Sequence, residues 1–446
     1  MSVIEIRDPI HDFIVLDGDE RRVVDSRPFQ RLRHITQLAL THLVYPGATH
    51  KRFEHSLGVM ELATRIFDVV TRRDKTQQFP EVSRLIPEEI ELKYWRRVLR
   101  LAALFHDVGH LPFSHAAEDL LPKGWRHEQL TVELILSPEM QEIWRKMTPP
   151  IRARDIVKLA VGPKHVGNMI DRLPEGEDWS FDPWVAILSE IITSDIFGAD
   201  RMDYLLRDSF HAGVSYGRFD HHRLISTLRI LPFSRDEADV PVPELGVERG
   251  GLQAAESLLW ARYLMYTQMY FHDVRRIYDI HLADFLRQWL PNRSFPTDVE
   301  KHLEMTDNEV WAALLAAARD DTAKGHDAAQ AIVSRRHYRL VYEVEPVDLE
   351  HNREAGAAVH EMLLNKLGPD AVRKDAYRAK GSTVDFPALD ANESIRSGAF
   401  LSRAIGGIPA VATYYVFVAP DSRAEAARFL RKLDRGIIGD RSKEVT

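Results

Sequence analysis

Through most of the first 290 residues, apolar side chains recur every three to four positions, the spacing of helices buried along one face. Val59, Leu62, Ala63, Ile66, Phe67 and Val70 predict a helix from about Arg52 to Arg72. A second helix, over about 92–107, buries Val98, Leu99, Ala102 and Phe105. Further helical patterns run over 128–136, 184–193, 199–209 and 252–290. Ahead of them, Val3–Leu16 reads as a short strand or hairpin closed by the turn-former "DGD". Ser26 ahead of Pro28 places a helix start near Pro28.

The pattern changes after "LPNRSFP", a polar, proline-bounded linker at about 290–296. Alternating or aromatic-rich segments, "YRLVYEVEP" and "TYYVFVAP", are interleaved with helices near Arg353–Leu367 and Ser422–Arg435. The fold expected is mainly α: a helical body over 1–290 and a smaller C-terminal α+β domain over 297–446. Neither an internal repeat nor a low-complexity segment interrupts this plan.

Polar residues break the apolar stripes at a few points. His55 lies four positions before Val59, and His106 four after Ala102, so both face inward, and Asp107 adjoins His106. "LAALFHDVGHLPFSH" adds His110 and His115 to an otherwise oily segment, and buried polar groups require partners, a counter-charge or a metal. Asp200, in "GADRMDYLLRDSF", is a fourth candidate. Two imidazoles and two carboxylates form a mixed nitrogen and oxygen set suited to Fe, Mn, Co, Ni or Zn, and such a metal lowers the pKa of bound water. Each histidine could equally be a satisfied core residue, and spacing alone leaves both readings open.

Composition narrows the setting. The 446 residues are 45% hydrophobic and 28% charged, ordinary for a globular protein. A net charge of -8 leaves no broad footprint for nucleic acid. No run approaches a membrane span, and the start lacks the basic and apolar regions of a signal peptide. With no cysteine, a cytoplasmic location is expected. Of twenty histidines, eight lie between His34 and His127.

"DPIHDFI", "FQRLRHITQL", "VYPGATHKRFEHSLGV", "HDVGHLPFSH" and "HEQ", in that order, resemble the HD-domain phosphohydrolases, and within them the deoxynucleoside triphosphate triphosphohydrolases. The resemblance covers roughly residues 1–280. It implies His55, His106, Asp107 and Asp200 as ligands of a divalent transition metal, with Mg or Mn accompanying the substrate phosphates. It also implies Arg52, Arg201 and Arg262 on phosphate, a role for which guanidinium groups are well shaped. His110 and His115 would face the α-phosphate and the leaving 5′-oxygen, with His127 and Glu128 close by. Glu118, three residues after His115, could hold that imidazole protonated.

The same resemblance gives Tyr204 and Tyr270 to the sugar, Asp208 to its 3′-hydroxyl, and Gln37 and Leu38 to the 3′-hydroxyl and base, with Tyr266 also substrate-binding. Asp200, Tyr204 and Asp208 stand at i, i+4 and i+8 of one helix and so share a face. Asp25, Gln30 and Arg33 match positions that bind an activating nucleotide in relatives. Ile4, Glu5 and Arg7 depart from that pocket, and weak or altered activation is expected. The activity implied is metal-dependent hydrolysis of dNTPs to deoxynucleoside and inorganic triphosphate by a homo-oligomer. The alternatives are an HD phosphohydrolase acting on nucleoside monophosphates or a signalling nucleotide, and a non-catalytic nucleotide or nucleic-acid sensor.

Overall fold

The apolar stripe of Arg52–Val70 (α1) packs on that of Glu89–Phe105 (α2), and this pair is the scaffold on which the inward histidines are mounted. The computed structural model describes residues 3–234, 240–378 and 385–432. It is mostly helical with small sheets, as the periodicity predicts, and it divides into two units. The first comprises residues up to Met265 together with 295–310 and 383–408. The second comprises 266–294, 311–382 and the stretch from Pro409. This division differs from the expected boundary at 290–297, because the chain returns twice to the first unit after leaving it.

In the first unit, an antiparallel hairpin of Ile4–Asp8 (β1) and Asp12–Leu16 (β2) precedes the helices. His127–Ile135 (α3), Ala153–Asn168 (α4), Pro183–Thr193 (α5) and Ala199–Ala212 (α6) follow α2. α4 packs against α2, α3 and α5, while α6 packs against α1. Leu228–Phe233 (β3) and Val242–Val247 (β4) pair antiparallel. The returning segment Pro387–Leu389 joins β4 in parallel, and Ile395–Ser397 completes that sheet. Leu252–Met265 (α7) ends the first long stretch of this unit.

In the second unit, Asp273–Trp289 (α8) packs against His326–Val333. Its sheet has Ala412–Val418 at the centre, antiparallel to both Arg339–Glu343 and Val372–Arg378. The "TYYVFVAP" alternation thus becomes the central strand, with Val416 and Val418 buried against Val359 and Leu363 of the helix Ala355–Leu367.

Three local expectations change. "DGD" starts the helix Gly18–Val24: the Asp17 carboxylate accepts from the backbone N–H groups of Asp19 and Glu20, both at 2.8 Å, which is helix capping and not a turn. The continuous helix expected over 252–290 is interrupted by a π-turn at Tyr266–Tyr270, and α8 starts afresh after His272. The helix expected to end at Asp107 ends at Phe105, so the His-Asp pair sits on the exit turn. The expected end of the last helix, at 435, lies outside the described residues. No helix among the described residues is long and apolar enough to cross a membrane.

Candidate active site

A tight crossing creates the site. Beyond α2 the chain turns so closely over the start of α3 that a Cβ on Gly109 would lie 2.3 Å from both the His127 carbonyl oxygen and the Thr131 nitrogen. Only glycine fits such a backbone approach, and it lets His106 and Asp107 face α1 while His110 meets α3. His55, fully buried on the second turn of α1, completes one side, and Asp200, in the first turn of α6, the other.

One donor atom each from His55, His106 and Asp200 lies within 4.8 Å of the other two. His55 Nε2 is 3.1 Å from Asp200 Oδ1, and His106 Nε2 is 3.5 Å from both Asp200 Oδ1 and Asp107 Oδ1. Asp107 Oδ2 stands 3.6 Å from His55 Nε2. The four residues singled out in the sequence therefore converge. His106 Nδ1 donates to the Ala103 carbonyl at 2.8 Å, which leaves Nε2 as the lone-pair nitrogen. That Nε2 is buried and makes no hydrogen bond among the described residues. A buried acceptor aimed at two carboxylates is poorly served by protein alone and well served by a cation, so the donor set fits a divalent metal.

The electrostatics agree. Burial opposes the charged form of His55, but hydrogen bonds and charges from Asp200 and Asp203 outweigh it and raise its pKa to about 10. Burial also works against ionised Asp200, yet His106 and His55 hold its carboxyl below the usual carboxylate range. Asp107 is likewise held well below that range, against burial, by His106, Arg52 and His110. The carboxylates thus draw positive charge onto His55 and His106, and a bound cation would take the place of those protons.

A second layer adjoins it. The His110 and His127 rings stack with centroids 3.9 Å apart and planes 18° from parallel. Burial, Arg52 and His127 push His110 well below its ordinary pKa. His127 moves the other way: burial lowers it, but Glu118 and Glu128 outweigh burial and raise it. Its Nδ1 is 2.7 Å from Glu118 Oε1 and 3.5 Å from Glu128 Oε2. Glu118 thus reaches His127, while its expected contact with His115 involves a side chain outside those described. The backbone of His115 forms the turn Ser114–Ala116, and its side chain lies outside those described. Arg52 is buried, with Nη1 on the Asp107 carboxylate and Nε donating to Ser114 Oγ at 2.9 Å.

Along α6, Asp200 and Tyr204 are half-buried and Asp208 is buried. Arg201 pairs with the Asp195 carboxylate at 2.9 Å, while Arg262 donates to the Asp195 carbonyl at 3.0 Å, so two expected phosphate ligands meet at one residue. Gln37 and Leu38 are in the segment leading to α1, Leu38 buried. Tyr266 and Tyr270 belong to the second unit, where their rings meet edge to face at 5.1 Å. Asp25 is hydrogen-bonded to Arg21, and Gln30 accepts from Arg33 Nε at 2.9 Å while donating to the Val24 carbonyl. Sequence reasoning passed over His11, His50, His165 and Asp203. The available signals were the motifs that contain His11 and His50, and a carboxylate at 203 with an arginine at 207 on a helical face otherwise apolar.

Comparison with known proteins follows the same lines. A family model described as HD domain matches residues 52–171, and one described as HD associated region matches residues 219–364. The uncharacterized protein MJ1154 of Methanocaldococcus jannaschii is 35% identical over 275 residues, 61% of this chain and 47% of that protein. The deoxynucleoside triphosphate triphosphohydrolase SAMHD1 of Gallus gallus is 29% identical over 407 residues, 85% of this chain and 62% of that protein. The chain spans about half the length of the first curated relatives it matches. The crystal structure of a hypothetical protein from Aquifex aeolicus superposes with a TM-score of 0.75 at 32% identity, covering 96% of this chain and 100% of that one.

Proposed function

Since the chain belongs to the HD-domain phosphohydrolases that carry an HD-associated region, we propose that it hydrolyses dNTPs to deoxynucleoside and inorganic triphosphate. The observation that carries a hydrolytic reading is the convergence of His55, His106, Asp107 and Asp200, with His106 Nε2 buried and unpartnered among the described residues. The triphosphate substrate is supported by the arginines at 52, 201 and 262 and by similarity to SAMHD1 over 85% of the chain.

His55, His106, Asp107 and Asp200 would hold a divalent transition metal, which would supply Lewis acidity and lower the pKa of water at the site. The remaining work belongs to side chains. Arg52 is already ordered by Asp107 and Ser114, so it can turn toward phosphate from a fixed base. Arg201 and Arg262 would take the rest of the tail, exchanging their hold on Asp195 for phosphate oxygens. Neutral His110 can approach the α-phosphate without adding charge, while His127, its pKa raised by Glu118 and Glu128, would help to balance the charge developing there. His115 is the proton donor to the 5′-oxygen in this scheme. Tyr204 and Asp208 of α6, with Gln37 and Leu38, would contact the nucleoside.

Anion-exchange analysis of the products from one dNTP tests the proposal directly. Triphosphate is expected. Pyrophosphate or orthophosphate would move the chain to another HD phosphohydrolase reaction, and binding without turnover under Mn or Mg would make it a sensor. Asp107→Ala is expected to abolish turnover and to lower bound metal in elemental analysis while the chain stays folded.

A further inference from the structure

The N-terminal motif "DPIHDFI" takes no part in the chemistry above, yet two of its side chains reach the protein behind His55. Asp8 and His11 are both buried. His11 Nε2 lies 2.7 Å from Asp203 Oδ1, and Asp8 Oδ2 accepts from Arg207 Nη1 at 2.8 Å. Arg207 also donates to both oxygens of Asp203, from Nε at 2.8 Å and from Nη2 at 3.0 Å. The remaining contact of Asp203 is with the expected metal ligand itself: Oδ2 is 2.8 Å from His55 Nδ1.

Asp203 and Arg207 are wholly buried, so this carboxylate is tolerable only because four donors saturate its two oxygens. A second observation shows that the packing is built around it. A Cβ on Gly58 would lie 2.0 Å from Asp203 Oδ1 and 2.3 Å from Arg207 Nη2. Gly58, one turn beyond His55, leaves the space that lets Asp203 come this close to α1. An ion pair between Asp203 and Arg207 on α6 would need neither that vacancy nor His11.

We propose that Asp203 is the positioning residue of the metal site, fixing His55 as the Nδ1–H tautomer with Nε2 directed at Asp107 and Asp200, and that Asp8, His11 and Arg207 hold it there. The inference rests on reading His55 as a metal ligand. An ionised carboxylate can only accept, so His55 Nδ1 must donate, and Nε2 is the nitrogen that can offer a metal its lone pair once the metal displaces its proton. Asparagine at 203 offers one oxygen and one NH2 against four donors. When the NH2 faces His55, the ring proton moves to Nε2 and the ligand lone pair is lost. Asp8 has its own anchor, since its Oδ1 accepts from the Ile10 and His11 backbone N–H groups at 2.8 and 2.9 Å. The hairpin turn thereby braces a metal ligand more than 40 positions further along the chain.

The test is cobalt binding by the full chain after chelator treatment, followed by Co(II) absorption and by competition for affinity. Asp203→Asn is expected to bind Co2+ ten- to a hundredfold more weakly, with an altered Co(II) spectrum and an unchanged far-UV circular dichroism spectrum. A folded Asp203→Asn protein with wild-type affinity and spectrum would overturn the inference. Should that variant not fold, Asp8→Asn loosens Arg207 from a distance: a several-fold loss of affinity supports the bracing role, and wild-type affinity overturns it. Wild type that takes up no Co2+ at this cluster would instead reject the metal reading, and this inference with it.

Discussion

His50 joins two residues that the sequence assigns to the same substrate hydroxyl. Its Nε2 is 2.7 Å from Asp208 Oδ1, with both side chains buried, and its carbonyl accepts from the Gln37 backbone N–H at 3.0 Å. The ring is further fixed by stacking on His211 at 4.4 Å. A carboxylate so buried depends on its donors, and leaving one of them out costs roughly 1–3 kcal/mol. Asp208→Ala is therefore expected to lower kcat/KM for dATP by tenfold or more without improving ATP. His50→Ala is expected to act in the same direction through Asp208 and Gln37. Steady-state kinetics with both nucleotides checks this, and full dATP activity in both variants would remove the pair from sugar recognition.

Discrimination against ribose requires more than a 3′ contact. An aromatic wall at C2′ leaves no room for an extra hydroxyl and gives it no partner, worth about 1–3 kcal/mol, or roughly ten- to a hundredfold in rate ratio. The resemblance of the motifs implies Tyr270 for that wall. Tyr270→Ala is expected to narrow the dATP to ATP ratio mainly by raising ATP turnover. Equal treatment of dATP and ATP by wild type would replace the deoxy-specific reading with a general nucleotide phosphohydrolase.

Nucleotide activation is expected to be weak. Gln30 and Arg33 are occupied with one another, and the Arg33 guanidinium lies 3.5 Å from the centroid of the Phe53 ring, a cation–π contact that holds it down. Freeing both for a nucleotide costs these contacts. Rates with and without GTP should differ by less than about twofold on that argument, with Asp25→Ala indistinguishable from wild type. Strong GTP stimulation that disappears in Asp25→Ala would show that the 25–33 segment is a built regulatory pocket.

The stripes on α1 and α2 were readable because each helix buries one face, and that periodicity also turned His55 and His106 inward. Convergence with Asp200, 94 positions beyond His106 (200 − 106) and 145 beyond His55 (200 − 55), came from motif resemblance, since spacing cannot report distance between helices. The interruption at Tyr266–Tyr270 was not readable: no proline or glycine marks it, and a π-turn needs only one inserted residue. Nor was the opposite direction of the His110 and His127 pKa shifts, which depends on Glu118 reaching back across a loop. Asp203 escaped notice because a helical Asp-x-x-x-Arg pair resembles an ordinary surface ion pair until its burial is known.

Acid sensitivity of the second unit provides a test away from the catalytic chemistry. His281, on α8, is buried and its Nε2 accepts from the Tyr338 backbone N–H at 3.2 Å, an interaction open only to the neutral ring. Burial, then Arg373 and His337, lower its pKa to about 3, and burial with Arg339 and Arg335 lowers that of His337 to about 4. In the unfolded chain both titrate near the ordinary histidine value of about 6.5. Between these values the unfolded state binds the extra proton, so the stabilisation is complete above about pH 6.5 and declines as pH falls toward the folded values. For His281 the loss between pH 6.5 and 5 is at most about 2 kcal/mol. Melting curves across this range should show Tm falling as pH drops. His281→Gln is expected to melt lower at pH 7.5 yet to lose fewer degrees on acidification. Parallel pH profiles for the two proteins would mean that His281 is not the group whose protonation opens this unit.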